Sequence, residues 1–157
     1  MPQYGNTSRE RLTTCDVRIQ RVFNKVILYH DCSILCGFRG EEEQNEAYDS
    51  IPQRSKVQWP NGKHNLLPSL AVDAVPYPII WPETLKMLNR FKGGRGTIVQ
   101  VMMVIKDLNR FYCFAGFVLG MAQEMGIPLR WGGDWDGDMD FKDQILDDLP
   151  HFELRDI

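Results

Sequence analysis

The stretch that decides the fold is WPNGKHNLLPSLAVDAVPYP, residues 59–78. Its apolar run, residues 70–75, predicts a strand that the following prolines end. Asp73 stands inside this strand, although burying an unpaired carboxylate costs several kcal/mol per ion. We therefore expect Asp73 to face a cation, which is either a metal ion or a basic side chain such as Arg39.

Length and composition indicate one globular domain. The 157 residues are 43% hydrophobic and 25% charged, and no repeat or low-complexity linker divides them, so we predict a single domain over residues 1–157. The net charge of -3 gives no electrostatic reason to expect nucleic-acid binding. The N-terminus lacks a signal-peptide pattern. Charged residues interrupt the apolar region 98–125 before it reaches the roughly 20 residues of a membrane span, so we predict no membrane insertion.

The remaining pattern predicts an α+β fold, because helices and short strands alternate irregularly. A small antiparallel sheet packed with helices is the expected architecture. Predicted helices cover residues 8–29, 41–48, 82–91 and 98–125. Predicted strands cover residues 33–36, 70–75, 129–131 and 151–154. Residues 50–68 contain three prolines and indicate an extended loop, and residues 93–96 indicate a turn.

Cysteines and histidines are few. Cys32 and Cys36 are conceivable metal ligands, but no second pair of cysteines accompanies them. The irregular spacing therefore favours free thiols for all four cysteines: Cys15, Cys32, Cys36 and Cys113. Of three histidines, His64 precedes Asp73 by nine residues and His151 follows Asp148 by three, while His30 closes a predicted helix. Two histidines and one carboxylate with an open fourth position are a common catalytic zinc arrangement. Spacing alone leaves this interpretation open beside an ordinary ion pair of Asp73 with an arginine.

Four blocks of sequence carry a resemblance. They are CGFRGEEEQ at 36–44, KHNLLPSLAVDAVPYP at 63–78, LRWGGDW at 129–135 and DLPHFEL at 148–154. In this order they resemble the zinc peptidases of the D-Ala-D-Ala carboxypeptidase and L-alanyl-D-glutamate endopeptidase family, especially the branch found among bacteriophage endolysins. The resemblance implies a hedgehog/D-Ala-D-Ala-peptidase-like fold.

The resemblance also implies a set of site residues. His64, Asp73 and His151 would hold one Zn²⁺, with a water on the fourth position. Asp148 would act as general base. Arg39 would stabilise the oxyanion or bind a substrate carboxylate, and a structural role for it stays open. Substrate contacts are expected at three further positions: Gln44, Ser69 and Trp131.

Three departures from the family pattern bear on this interpretation. The gap between His64 and Asp73 is two residues longer than the family's usual one. Gly62 stands where a serine is common, so a substrate-contacting hydroxyl is not expected there. Asp148 stands where carboxypeptidase branches usually carry glutamate, and this favours the endolysin-like branch. Asp147 is an adjacent candidate base with the wrong spacing.

The implied substrate is a peptidoglycan stem peptide, cut between L-Ala and D-Glu. A D,D-carboxypeptidase that removes terminal D-Ala is the alternative within enzymes. Outside the enzymes, the candidates are a catalytically silent zinc- or wall-binding module and a structural virion protein without metal. We expect a monomer without a separate wall-binding domain. The resemblance further implies accumulation in the host bacterial cytoplasm and release to the wall through a partner pore protein, a holin.

An acidic loop, DWDGDMD, places carboxylates at alternating positions: Asp134, Asp136, Asp138 and Asp140. Clustered carboxylates suit Ca²⁺, so a calcium loop is one interpretation. However, Gly137 is not at the sixth position of a calcium loop, and no glutamate occupies the twelfth. We therefore favour a solvated acidic loop over a regulatory calcium site.

Overall fold

The computed structural model describes residues 1–51, 53–82 and 98–155. The predicted helix over residues 82–91, from residue 83 on, and the predicted turn over residues 93–96 lie outside the described residues. In chain order the described elements are α1 Asn6–Thr13, α2 Val17–Val26, β1 Cys32–Cys36, α3 Glu41–Asp49, a 3₁₀ turn Lys63–Asn65, β2 Ala71–Pro76, α4 Ile98–Glu124, β3 Leu129–Gly132 and β4 Asp148–Leu154.

The four strands form one antiparallel sheet in the order β1-β2-β4-β3. This confirms the predicted α+β class with a small antiparallel sheet. The strand that contains Asp73 is β2, and it is hydrogen-bonded on both sides, by β1 and by β4. Its apolar residues are fully buried, which explains why it reads as a continuous apolar run in the sequence.

The two faces of the sheet have different roles. Side chains alternate between the faces along a strand. On β4, Phe152 and Leu154 enter the hydrophobic core, and Phe152 packs edge-on against Phe23 of α2 and Phe114 of α4. His151 and Glu153 alternate with these residues and therefore point to the opposite face. The helices α2 and α4 thus cover one face, and the other face carries the polar residues of β4.

The N-terminal helix is divided, so the prediction of one helix over residues 8–29 is wrong. Asp16 begins α2 as its N-cap, because its Oδ1 accepts the backbone N–H of Arg18 at 2.9 Å. The backbone on either side of the break pairs with Ser69: Asp16 N–H donates to the Ser69 carbonyl at 2.8 Å, and Ser69 N–H donates to the Thr14 carbonyl at 2.9 Å. The break therefore anchors the loop that leads into β2.

The long helix α4 runs for 27 residues and packs against α2 and the sheet, as predicted for a core helix. It is followed by Gly126, whose φ of 66° lies in the left-handed region that favours glycine after a helix end. Among residues 1–51, 53–82 and 98–155, no helix combines the length and the hydrophobicity that a membrane span requires.

Candidate metal centre

Three side chains from three elements meet on the sheet face opposite the helices. His64 lies on the 3₁₀ turn, Asp73 on β2 and His151 on β4. Asp73 and His151 are direct cross-strand partners, which places both side chains on the same face. His64 Nε2 lies 3.2 Å from Asp73 Oδ1 and 3.2 Å from His151 Nδ1, and the third side, from His151 Nδ1 to Asp73 Oδ1, is also 3.2 Å. The three donor atoms form an equilateral triangle.

In each histidine ring, the nitrogen that faces away from Asp73 has a hydrogen-bond partner, and this partner indicates which nitrogen carries the proton. His64 Nδ1 lies 2.7 Å from the carbonyl oxygen of Gly37, which can only accept, so Nδ1 donates. His151 Nε2 donates to Glu153 Oε2 at 3.0 Å. In the neutral rings, the remaining nitrogens therefore present lone pairs to Asp73 Oδ1. Three acceptors that face one another need positive charge between them, either a shared proton or a metal cation.

The pKa shifts of the three residues agree with a centre that attracts positive charge. Burial lowers the pKa of His64, but the Asp73 carboxylate outweighs this effect and raises the pKa to about 10. The pKa of His151 is also raised, because its hydrogen bonds to Asp73 and Glu153 outweigh its burial. Burial raises the pKa of Asp73, but the two imidazoles outweigh it and hold this pKa well below its usual range.

The triangle fits a zinc ion. Zinc binds imidazole nitrogen and carboxylate oxygen at about 2.0–2.1 Å in tetrahedral geometry, so two ligand atoms lie about 3.3 Å apart. The three observed separations are each 3.2 Å. Two imidazoles and one carboxylate are also a donor set that leaves one position open for catalysis. His64, Asp73 and His151 can therefore hold the ion that Asp73 needs in its apolar strand.

Cys36 belongs to an overlapping group of donors, and its grouping with His64 and Asp73 was not evident from the sequence. Its Sγ, a His64 nitrogen and an Asp73 oxygen lie within 4.8 Å of one another. The triangle completed by His151 is tighter, so we place the cation centre there and the Cys36 thiol beside it. Cys36 pairs with Asp73 between β1 and β2, and only this register brings the thiol to the centre. The predicted free thiols are confirmed for all four cysteines.

Arg39 contacts the second oxygen of Asp73. Its Nη2 donates to Asp73 Oδ2 at 3.1 Å, and its backbone N–H donates to the His64 carbonyl at 2.8 Å. The sequence did not decide between an ion pair and a metal site, and the structure shows that one carboxylate can take part in both. Arg39 orients Asp73 in this structure, and its contact with an oxyanion or a substrate carboxylate stays a prediction.

Asp148 reaches the centre because β4 is bulged. Residues three apart on a regular strand point to opposite faces. Here Trp131 pairs with Phe152, whereas the next residue, Gly132, pairs with Asp148, so the intervening residues of β4 loop out. A Cβ added to Gly132 would lie 3.0 Å from Asp148 Cβ and 3.1 Å from His151 Cβ. Both side chains therefore leave β4 on the same side of the sheet. Burial raises the pKa of Asp148, against the lowering effect of His151.

Substituting Gly132 by alanine is expected to weaken zinc binding by roughly 10-fold or more, the range seen when the surroundings of a ligand are disturbed. The new Cβ would lie 2.5 Å from the Asp148 carbonyl oxygen, so the backbone of the bulge must shift and carry His151 with it. Competition with a chelating dye measures the affinity. Gly116→Ala on α4 is the matched control, because its Cβ meets nothing within 4 Å. Equal affinities of the two variants would contradict the expectation.

Two of the expected substrate contacts have structural partners in the loop around His64. Ser69 is fully buried, and its hydroxyl donates to the Ala71 carbonyl at 2.7 Å, so its substrate contact stays a prediction. Gln44 is 2% exposed, and its Nε2 donates to Ser55 Oγ at 2.8 Å. Its Oε1 accepts from Asn65 Nδ2 at 3.2 Å, so the amide has partners at both ends. A substrate contact by Gln44 stays a prediction.

The two tryptophans of LRWGGDW lie in different surroundings. Trp131 is 2% exposed and donates its indole N–H to the Leu149 carbonyl at 2.7 Å, so its substrate contact stays a prediction. Trp135 is the tryptophan at the centre: its ring lies 5.4 Å from the His151 ring, at an interplanar angle of 35°. The guanidinium carbon of Arg130 lies 5.4 Å from the Trp135 ring. No signal in the sequence distinguishes the two tryptophans.

A cleft of about 320 Å³ opens over the centre, and Arg39, Lys63, His64, Arg130, Trp135 and His151 are among its lining residues. A larger cavity of about 670 Å³ lies beside α4 and β3 and includes none of the three candidate ligands in its lining. The smaller cleft is therefore the one that fits a substrate of the centre.

The acidic loop is organised around Asp134. This residue is buried, and its two oxygens accept the backbone N–H groups of Gly137 at 2.9 Å and Met139 at 3.3 Å. Oxygens of Asp134, Asp136 and Asp138 lie within 4.8 Å of one another. Asp140 is not in this group, and its Oδ1 accepts the backbone N–H of Lys142 at 3.0 Å. The hydrogen bonds explain the buried carboxylate, and a calcium site stays a prediction.

Comparison with known proteins supports the peptidase class that this fold and this centre indicate. Residues 96–155 match the family described as phage L-alanyl-D-glutamate peptidase. The matched part contains Asp148 and His151, whereas His64 and Asp73 lie outside it. No curated protein sequence matches the chain.

A particular solved structure is similar over nearly the whole chain. It is the crystal structure of Serratia marcescens L-Ala D-Glu endopeptidase ChiX, with a TM-score of 0.62 and 22% sequence identity. The match covers 98% of this chain and 90% of that chain. It confirms the predicted peptidase-like α+β fold. Together with the family match, it confirms the resemblance to L-alanyl-D-glutamate peptidases that the sequence motifs indicated.

Proposed function

We propose that this chain is a zinc-dependent peptidoglycan peptidase that cuts stem peptides between L-Ala and D-Glu. The observation that carries the proposal is the triangle of donor atoms of His64, Asp73 and His151, each 3.2 Å from the next. The family description and the name of the similar Serratia enzyme support the choice of bond. The chain would act as an endolysin.

The chemistry divides between the ligands and one base. A zinc ion held by the three ligands would polarise the scissile carbonyl and lower the pKa of a water to about 7. Asp148 takes the proton from the attacking water and later returns it to the leaving amine. Its raised pKa suits both tasks, because a base must also hold the proton between the two steps. Arg39 keeps Asp73 oriented through the contact at 3.1 Å.

The cleft suits a peptide that carries carboxylates. Three cationic side chains, Arg39, Lys63 and Arg130, line it together with one carboxylate, that of Glu153, and the ring of Trp135. The D-Glu of a stem peptide brings negative charge to these basic groups, and the aromatic ring offers a flat apolar wall. The L-Ala side chain is small enough for a cleft of about 320 Å³.

We also propose where and in what form the protein acts. All three candidate ligands and the candidate base come from one chain, so a monomer suffices. The phage family match supports a role in lysis, with accumulation in the host bacterial cytoplasm and release to the wall through a holin.

Calcium is proposed only as a ligand of the Asp134 loop, and activity with and without added calcium tests it.

Digestion of purified muropeptides is expected to release fragments with a new N-terminal D-Glu. A chelator should abolish the cleavage, and stoichiometric zinc should restore it, because three protein ligands leave the reaction dependent on the ion. Mass spectrometry and amino-terminal labelling identify the cut. Free D-Ala would instead support the D,D-carboxypeptidase. Bound zinc without cleavage would support a silent module, and a folded chain without zinc affinity would support a structural virion protein.

A further inference from the structure

We propose that Glu153 is a positioning residue that fixes the tautomer and the orientation of His151, and that zinc affinity depends on its carboxylate. The inference rests on the proposed function, since it concerns the same centre. Glu153 stands two residues after His151 on β4 and therefore points to the same face of the sheet. Its Oε2 accepts from His151 Nε2 at 3.0 Å, and the residue is only 6% exposed.

The contact matters because only one tautomer of His151 can serve the centre. His151 Nδ1 is the atom that faces Asp73 Oδ1 and His64 Nε2, each at 3.2 Å. In the other neutral tautomer, Nδ1 would carry the proton and direct it into the space between the donors. A carboxylate opposite Nε2 accepts a proton and cannot donate one, so it selects the tautomer whose Nδ1 lone pair is free.

Glu153 is itself held in place by two cationic side chains. Arg130 is its cross-strand partner on β3 and donates from Nε to Glu153 Oε1 at 2.8 Å. Lys63 Nζ lies 3.5 Å from the same oxygen and donates to the Leu154 carbonyl at 2.6 Å. Lys63 directly precedes His64 in the chain. The Glu153 carboxylate therefore contacts both segments that carry a candidate histidine ligand, the 3₁₀ turn and β4.

The flat face of His151 is held by the same network. Trp135 packs on the His151 ring at 5.4 Å, and Arg130 lies over the Trp135 ring at 5.4 Å. The contacts run in a closed circuit from Glu153 to Arg130, to Trp135, to His151 and back to Glu153. The hydrogen bond fixes the ring in its plane, and the tryptophan limits its tilt. The geometry thus assigns to Glu153 more than the role of a surface ion pair.

The test is Glu153→Gln in the full chain. The amide keeps the shape, but it can present an N–H group to Nε2 and loses the charge. We expect zinc affinity, measured by competition with a chelating dye, to fall by about 10- to 100-fold. Proton and ¹⁵N NMR of the zinc-loaded wild-type chain should show a protected, downfield His151 Nε2–H resonance. The variant should lose this resonance, which a general loosening of the fold would not selectively remove.

Two further variants keep the test decisive. Glu153→Asp retains the charge with a shorter reach and should bind zinc more tightly than Glu153→Gln. If the glutamine variant folds poorly because Arg130 has lost its partner, Glu153→Gln combined with Arg130→Gln removes both charges and is measured in the same way. Wild-type zinc affinity and an unchanged Nε2–H resonance in a folded Glu153→Gln variant would overturn the inference. Failure of the wild-type chain to bind zinc would overturn the proposed function instead.

Discussion

Replacing His151 by alanine is expected to abolish zinc retention and peptidase activity together. The variant leaves only His64 Nε2 and Asp73 Oδ1 of the three donors that lie 3.2 Å apart. Loss of an outer partner of a ligand costs about 10- to 100-fold in metal affinity, so loss of the ligand itself should exceed roughly 100-fold. Zinc content after dialysis and the rate of muropeptide cleavage measure the two effects.

The third histidine provides the control. His30 packs against the rings of Phe114 and Phe117, with ring centroids 5.3 and 5.9 Å away, and is not part of the centre. His30→Gln should therefore retain one zinc per chain and its activity. A His151→Ala protein that keeps stoichiometric zinc and the wild-type rate would refute the assignment of His151 as a ligand.

The sequence pointed to the centre because a carboxylate in an apolar strand has a large physical cost. That cost singled out Asp73, the positions of His64 and His151 near carboxylates suggested a zinc arrangement, and the resemblance strengthened this interpretation. What the sequence could not supply was the strand order. The triangle closes because β2 and β4 are neighbours in which Asp73 and His151 are direct partners. Hydrophobic periodicity predicts which residues share a face of one strand, but it does not predict which strands pair.

Arg39 shows that the two rival predictions for Asp73 are compatible. The sequence left Asp73 with either a metal ion or an arginine as its partner. A carboxylate has two oxygens, and the structure uses Oδ1 for the centre and Oδ2 for Arg39. Residue types alone could not reveal this division, since it depends on the loop that hydrogen-bonds Arg39 to the His64 backbone.

The failures of prediction have local causes. The helix break before α2 could have been found, because Asp16 is a good N-cap in front of an amphipathic segment. By contrast, nothing in LRWGGDW tells which tryptophan is buried, because the loop after β3 redirects the chain. Glu153 was overlooked because its role appears only once the tautomer of His151 is known.

Asp148→Asn is expected to keep zinc and to lose turnover by about 10²- to 10⁴-fold, the usual contribution of a general base. The amide has nearly the same size as the carboxylate but cannot take up the proton of the attacking water. Because Asp148 is not among the three donors of the triangle, zinc affinity should stay within a few-fold of the wild-type value. Single-turnover cleavage of muropeptides and dye competition measure the two quantities separately.

Asp147→Asn is the matched control, since it makes the same chemical change one residue away on an exposed side chain. It should keep wild-type turnover, because the bulge opposite Gly132 brings Asp148 to the side of the sheet that carries His151. A reversed result, with the loss of turnover in Asp147→Asn, would make Asp147 the base. Wild-type rates in both variants would assign the base to a different residue, and the bulge would then serve only to place His151.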